Sequence, residues 1–221
     1  MENPTVVAPV RGARAPESAR LVGRWIVLVS AGEAAGFLAP IAAGVVVAAS
    51  EVPALAGLLL LVVAGGVEGA MLGAAQSTAI LGRPHRRWVG ASSAGAAAAW
   101  LLGMLPSTLG LPSAPSIRLT VVVVGAILML LVLPCAQWMV VRRTPRSLRW
   151  VGWNVLAWTL GLLWTFAPSP FIDEYTPVAV LVGCYTLAGL LMAATVALVT
   201  ASAAVRLLPA ALAPPRPAPT R

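Results

Sequence analysis

The chain of 221 residues is 59% hydrophobic and only 10% charged, and its mean hydropathy is +0.90. A soluble domain carries roughly a quarter charged residues, so this composition excludes an ordinary soluble protein, which needs polar side chains to cover its surface. The apolar residues form blocks near the ~20 residues that a helix needs to cross a bilayer. No segment alternates apolar and polar residues as membrane strands do. We therefore predict an all-α integral membrane protein.

In chain order, the sequence divides into two tails around a transmembrane domain. Residues 1–20 lack hydrophobic periodicity and are predicted to form a disordered cytoplasmic tail. Residues 21–206 are predicted to form the transmembrane domain, and residues 207–221 are Pro-rich and are predicted to form a cytoplasmic tail. The predicted transmembrane helices lie near residues 25–49, 54–81, 88–105, 119–141, 150–167 and 178–205.

The arginines indicate how the chain crosses the membrane. They cluster before the first segment, between the second and third, between the fourth and fifth, and after the sixth, while Arg118 alone lies on the other side. Because basic residues remain on the cytoplasmic side, this pattern predicts a six-helix bundle in the bacterial cytoplasmic (inner) membrane, with both termini cytoplasmic. The net charge of +8 then reflects topology and contact with anionic lipid headgroups rather than nucleic acid. The candidate headgroup contacts are Arg83, Arg86, Arg87, Arg142, Arg143, Arg146 and Arg149.

Two stretches of the sequence have nearly the same order of residues. "AQSTAILGRPHRRW" runs from Ala75 to Trp88, and "AQWMVVRRTPRSLRW" runs from Ala136 to Trp150. Each marks the end of one predicted helix, a short turn and the start of the next. The pattern predicts a duplicated helical hairpin over residues 62–105 and 123–167, with the two copies related by an axis along the membrane normal. We expect Trp88 and Trp150 to lie at headgroup level.

The second copy resembles a loosely defined group of small bacterial polytopic membrane proteins. Their repeats read roughly Gly/Ala-x-Gln-Trp-x-x-(Leu/Val)-Arg, followed by Trp-Val and a small-residue helix ending in Gly-Trp. The copy at 136–165 fits this pattern, whereas the first copy has Ser77 where the group has Trp. The resemblance covers about residues 62–165 and implies a topology but no activity.

Small residues recur every fourth position in the second and third segments. Such ridges let helix backbones approach closely, so that van der Waals contact drives their association. We therefore predict that these two helices pack tightly against each other or against a neighbour. The predicted packing residues are Gly65, Gly69, Gly73, Ala91, Gly95, Ala99 and Gly103.

Five polar residues lie inside the predicted helices: Glu33, Glu68, Gln76, Gln137 and Asn154. An ionised carboxylate near the bilayer centre costs at least ~3 kcal/mol, so the two glutamates are predicted to face the bundle interior. They form either a proton or cation site or a pair of protonated donors that holds the first two helices together. The glutamines are predicted to pair with each other, with a backbone carbonyl or with water, or else to take part in a polar pathway with the glutamates. Asn154 is predicted to form a hydrogen bond across the bundle.

Three functional hypotheses follow. The first is an accessory or scaffold subunit without enzymatic activity, bound to other membrane subunits or to itself, because no catalytic residue set is evident. The second is a small proton- or cation-coupled transporter or channel that uses Glu33 and Glu68. The third is a membrane enzyme whose arginines hold a lipid phosphate. The only histidine is His85, in a predicted turn, and no residues have metal-ligand spacing, so we expect no metal and no cofactor.

Overall fold

The computed structural model describes residues 14–173 and 175–212, with side chains from residue 17 onward. Within these ranges the chain is helical, and no strand is present. The α-helices are α1 Arg14–Ala49, α2 Ala54–Leu81, α3 Arg86–Leu109, α4 Pro115–Val141, α5 Leu148–Phe166 and α6 Val178–Leu212. A short 3-10 turn at Ser169–Phe171 lies between α5 and α6.

The first and last helices are longer than the sequence predicts. Helix α1 begins at Arg14, so residues 14–20 are helical rather than a disordered tail, while residues 1–13 lie outside the described ranges. Helix α6 continues through Pro209 to Leu212, within the predicted Pro-rich tail, and residues 213–221 lie outside the described ranges. A proline inside a helix costs about 3 kcal/mol. Burial of Leu208 and Leu212 in the core offsets this cost, since each buried leucine contributes about 1.5–3 kcal/mol.

The six described helices form a closed ring of antiparallel neighbours. Each helix packs on the next in the chain, and α6 returns to pack on α1. The neighbours α4 and α5 make the sparsest contact in this ring. The end that carries Arg24, Arg87 and Arg149 is named the arginine end; α1, α3 and α5 run away from it. Gly82, at φ +76°, makes the sharp turn between α2 and α3 at this end.

The helices are suited to a bilayer. Five of the described helices are long and apolar enough to cross a membrane, namely α2, α3, α4, α6 and the part of α1 from Glu17 onward. Helix α5 has 19 residues and includes Arg149, Asn154 and several tryptophans, which make it less apolar than its neighbours. Near its start, α4 exposes Val121, Val122, Val123 and Val124 around most of its circumference, and these apolar side chains suit contact with lipid. The protein is therefore an all-helical, multi-pass membrane bundle.

Glycines set the closest approach of α2 and α3. Added β-carbons at Gly65, Gly69 and Gly73 would overlap residues of α3, including Trp100 and Ser92. These glycines therefore form the surface on which α3 lies.

Two of the predicted packing residues of α3 face the next helix, α4. A β-carbon at Gly95 would lie 2.8 Å from Leu133 Cα of α4, and one at Gly103 would lie 3.2 Å from Met129 Sδ. Ala91 and Ala99 are half-buried. Gly95 and Gly103 of α3 thus face α4, whereas Gly65, Gly69 and Gly73 of α2 face α3.

Candidate functional site

A large cavity lies inside the ring of helices. Its volume is about 790 Å³, and apart from a few polar side chains its walls are apolar. Ala49, Phe166 and Val178 line it, and these are the last residues of α1 and α5 and the first residue of α6. The cavity, hereafter the central cavity, therefore reaches the end of the bundle opposite the arginine end.

Two carboxyl groups line the inner part of the central cavity. Glu33 of α1 is fully buried and Glu68 of α2 is 5% exposed. The indole Nε1 of Trp100, on α3, donates a hydrogen bond of 2.6 Å to Glu68 Oε2. A β-carbon at Gly36 would lie 3.0 Å from Glu68 Cα, so this glycine lets α1 approach α2 beside the carboxyl. The sequence-predicted pair is thus brought together between α1 and α2.

The carboxyl pair has no positively charged neighbour among the described residues that line the cavity. The two carboxyls lie close enough to repel each other when both are ionised and to form a hydrogen bond with each other when one is protonated. Apart from Glu68, neither oxygen of Glu33 has a hydrogen-bond partner among the described residues. Two negative charges held together in an apolar site repel each other and are costly to desolvate. The site therefore favours a bound positive charge or a proton.

Aromatic side chains surround the cavity along its length. Phe37, Trp100, Trp158, Phe166 and Tyr185 all contribute to its walls. The ring faces of such side chains carry negative potential and attract cations. The buried Nε1 of Trp158 has no partner among the described residues.

A second cluster of buried polar side chains lies between the carboxyl pair and the arginine end. Trp88 Nε1 donates to Gln76 Oε1 at 2.9 Å, and Gln137 Nε2 donates to the same oxygen at 2.9 Å. Trp150 Nε1 donates to Gln137 Oε1 at 3.0 Å, and Gln137 Nε2 also donates to Ser92 Oγ at 2.9 Å. All these side chains are fully buried. The two glutamines therefore meet in the centre of the bundle.

Trp25 completes this cluster from α1. Its Nε1 donates to Thr200 Oγ1 of α6 at 3.1 Å. Its ring packs edge-on against Trp150 at 6.1 Å, and Trp88 packs against Trp150 at 5.5 Å. We name the cluster of Trp25, Trp88, Trp150, Gln76 and Gln137 the tryptophan–glutamine layer. At 1.5 Å per residue, it lies about 12 Å along the helices from the carboxyl pair.

The polar residues and arginines predicted from the sequence lie in separate parts of the bundle. Glu33 and Glu68 line the cavity, and Gln76 and Gln137 lie in the layer. Asn154 is buried, but its Nδ2 donates to the Trp150 carbonyl of its own helix at 3.0 Å, so the predicted cross-bundle bond is wrong for that donor. The candidate headgroup arginines Arg83, Arg86, Arg87, Arg142, Arg143, Arg146 and Arg149 are all exposed at the arginine end, away from the cavity.

Sequence reasoning missed the role of the tryptophans. Trp88 and Trp150 were expected to be interface anchors at headgroup level; both are fully buried among the helices, so neither ring faces lipid. Trp100 was not associated with Glu68 at all. One signal was available for Trp25, because it follows Arg24 just as Trp88 follows Arg87. This third Arg-Trp pair shows that the start of α1 shares a sequence feature with the starts of α3 and α5.

The described residues contain no group of three or more His, Cys, Asp or Glu side chains that could hold a metal ion. No protein-family model, curated protein or solved structure matches the chain. The function is therefore argued from the cavity and its carboxyl pair.

Proposed function

We propose that the protein is a small membrane transporter that exchanges protons for a cation at Glu33 and Glu68. The observation that carries this proposal is a pair of buried carboxyls, without a cationic partner among the described lining residues, inside a cavity of about 790 Å³. Intramembrane carboxyls that face a cavity are typical of ion and proton pathways. An accessory subunit needs no such cavity, so the geometry favours exchange.

The proposed topology has six crossings, with the arginine end and both termini in the cytoplasm of a bacterium. The positive-inside rule supports this orientation, because Arg118 is the one arginine of the described residues at the opposite end. In this orientation the central cavity reaches the outer face. The tryptophan–glutamine layer then separates the carboxyl pair from the cytoplasm, as the closed side of a transporter requires.

We also infer that the ring consists of three related pairs of neighbouring helices rather than two hairpins. The pairs are α2–α3, α4–α5 and α6–α1, of which the last joins the two ends of the chain without a connecting turn. In each pair, a tryptophan that follows an arginine in the second helix donates to a polar side chain of the first. A packing contact recurs in two of the pairs. A β-carbon at Gly65 of α2 would overlap the Trp100 ring of α3, and one at Gly189 of α6 would overlap the Phe37 ring of α1. Each of these glycines lies at the same distance along the chain from the polar side chain that accepts the tryptophan's bond.

Proton–cation exchange is testable in proteoliposomes with a pH gradient and a trapped pH-sensitive dye. Na⁺, K⁺ and organic cations are added one at a time, and at least one of them is expected to collapse the gradient. Glu33→Gln and Glu68→Gln are each expected to slow this exchange by about tenfold or more, because a charge-assisted contact contributes about 1.5–3 kcal/mol.

The matched control is Glu51→Gln, which removes an exposed carboxyl outside the cavity. This variant is expected to exchange at the rate of the unmodified protein. A gradient that no cation collapses, or exchange unchanged in both cavity variants, would overturn the proposed function.

A further inference from the structure

We propose that the cation is a lipophilic organic monocation: a quaternary or protonated amine, or a phosphonium, with a bulky aromatic or branched apolar body. This inference rests on the proposed exchange function and names its substrate class. It follows from the size of the central cavity, the chemistry of its walls and the sign of its buried charges.

The size and walls of the cavity favour an organic molecule over a metal ion. A volume of about 790 Å³ lies in the range of roughly 300–1,000 Å³ that holds drug-sized ligands. A small inorganic cation needs about six close oxygen ligands in place of its water shell. The walls instead present side chains such as Leu61, Leu130 and Leu162, and Glu33 and Glu68 are the only carboxyls among the described residues that line them. A large and weakly hydrated cation loses little on entering such a space.

The charges of the cavity select the sign of the ligand. Its described lining residues include Glu33 and Glu68 but no Arg, Lys or His, so an anion would meet only repulsion. Trp100 donates to Glu68 through its Nε1, and it lines the cavity together with the other aromatic side chains. A monocation near Glu33 would therefore have a carboxylate partner and aromatic side chains in the walls around its apolar body.

Charge balance couples cation entry to proton release. Without a cation the pair retains a proton, because a fully ionised pair is costly in an apolar membrane site. When one monocation binds, one proton leaves to water and the net charge of the site is unchanged. The other titratable side chain facing the cavity is Tyr185 of α6, and α3, α4 and α5 contribute only neutral groups to its walls.

Tetraphenylphosphonium and tetraphenylborate provide a test, because they have nearly the same shape and opposite charge. Binding to the full-length protein in mild detergent is measured by quenching of tryptophan fluorescence and by proton release in weak buffer. We expect tetraphenylphosphonium to bind at least tenfold more tightly than tetraphenylborate and to release a proton. Glu33→Gln is expected to weaken its binding at least tenfold, whereas Glu51→Gln is expected to leave it unchanged.

A second variant keeps the proposal testable if the glutamate variants fail to fold. Leu162→Trp adds bulk to the cavity wall and leaves both glutamates in the sequence. It is expected to weaken tetraphenylphosphonium binding while the melting temperature stays near that of the unmodified protein. Equal binding of both ions, or tight binding by both Glu33→Gln and Leu162→Trp, would overturn the substrate class. If Na⁺ or K⁺ collapses the pH gradient and tetraphenylphosphonium does not, the substrate class is wrong and the exchange function stands. If no cation does so, the exchange function itself fails.

Discussion

At the scale of single residues, the tryptophan–glutamine layer pairs each of its three indole donors with a side chain of another helix. Gln76 Nε2 is buried without a partner among the described residues. Gln76 Oε1 accepts from Trp88 and from Gln137, and Gln137 Oε1 accepts from Trp150. A buried indole N–H without a partner would cost about 1–3 kcal/mol. The layer is therefore a connected network in which the loss of one member leaves several groups unpaired.

Gln137→Met tests this network, because the substitution keeps the side-chain length and removes both polar atoms. The Trp150 donor and the Ser92 hydroxyl then lose their partner, and we expect the free energy of unfolding to fall by about 1–3 kcal/mol. Reversible unfolding in mixed detergent micelles measures the change. Thr159→Val is the control, because Thr159 is exposed and bonds only its own helix. Equal stability of the two variants would contradict the network.

The carboxyl pair shows how far sequence reasoning reaches at this scale. Glu33 and Glu68 were predicted to face the interior because exposure to lipid is costly, and that argument needs no coordinates. The partner of Glu68 is Trp100, 32 residues further along the chain. Hydropathy and local spacing carry no information about such a contact, since it depends on how α2 and α3 are rotated against each other.

At the scale of helices, small residues determine how closely α2 and α3 approach. The sequence pattern indicated the glycine ridge of α2, but it left open which neighbour the ridge contacts. A β-carbon at Gly69 would overlap the Ser92 carbonyl and Ala96, whereas one at Gly66 would lie 3.6 Å from Ala97 Cβ and from Ser93 Oγ, an ordinary van der Waals distance. The two positions lie in the same helix and differ in the space that they leave for a methyl group.

Gly69→Ala and Gly66→Ala therefore form a matched pair. We expect Gly69→Ala to reduce the free energy of unfolding by about 1–3 kcal/mol, because the added methyl group forces α3 away from α2. Gly66→Ala is expected to be neutral or to stabilise by up to about 1 kcal/mol through helix propensity. The same detergent unfolding measurement compares them. A destabilisation of similar size in both variants would show that helix separation is not the cause.

At the scale of the whole molecule, closure of the helix ring creates the cavity in which the proposed cation would bind. Each helix packs on two neighbours, and the space between them is closed by the tryptophan–glutamine layer near the arginine end. The cavity extends from the carboxyl pair to the other end. The proposed exchange of a proton for a cation requires these two ends to face different compartments.

Cysteine accessibility tests the proposed orientation. Ser113→Cys and Arg143→Cys place exposed thiols at opposite ends of the bundle, in a background where Cys135 and Cys184 are replaced by alanine. An impermeant maleimide applied to intact cells is expected to label position 113 and to label position 143 only after permeabilisation. Labelling of both positions in intact cells would contradict the six-crossing topology.

The amino-acid sequence alone predicts a helical, membrane-embedded chain, the approximate ends of most helices, and two glutamates whose burial in hydrocarbon is costly. Those conclusions follow from local physics, because hydropathy, helix length and the cost of a charge in lipid act residue by residue. The meeting of Trp25, Trp88 and Trp150 between the helices, and the continuation of α6 through Pro209, are visible only in the folded bundle. The same holds for the cavity. These features depend on closure of the ring, which brings together side chains that are distant along the chain and sets how each helix is rotated about its axis.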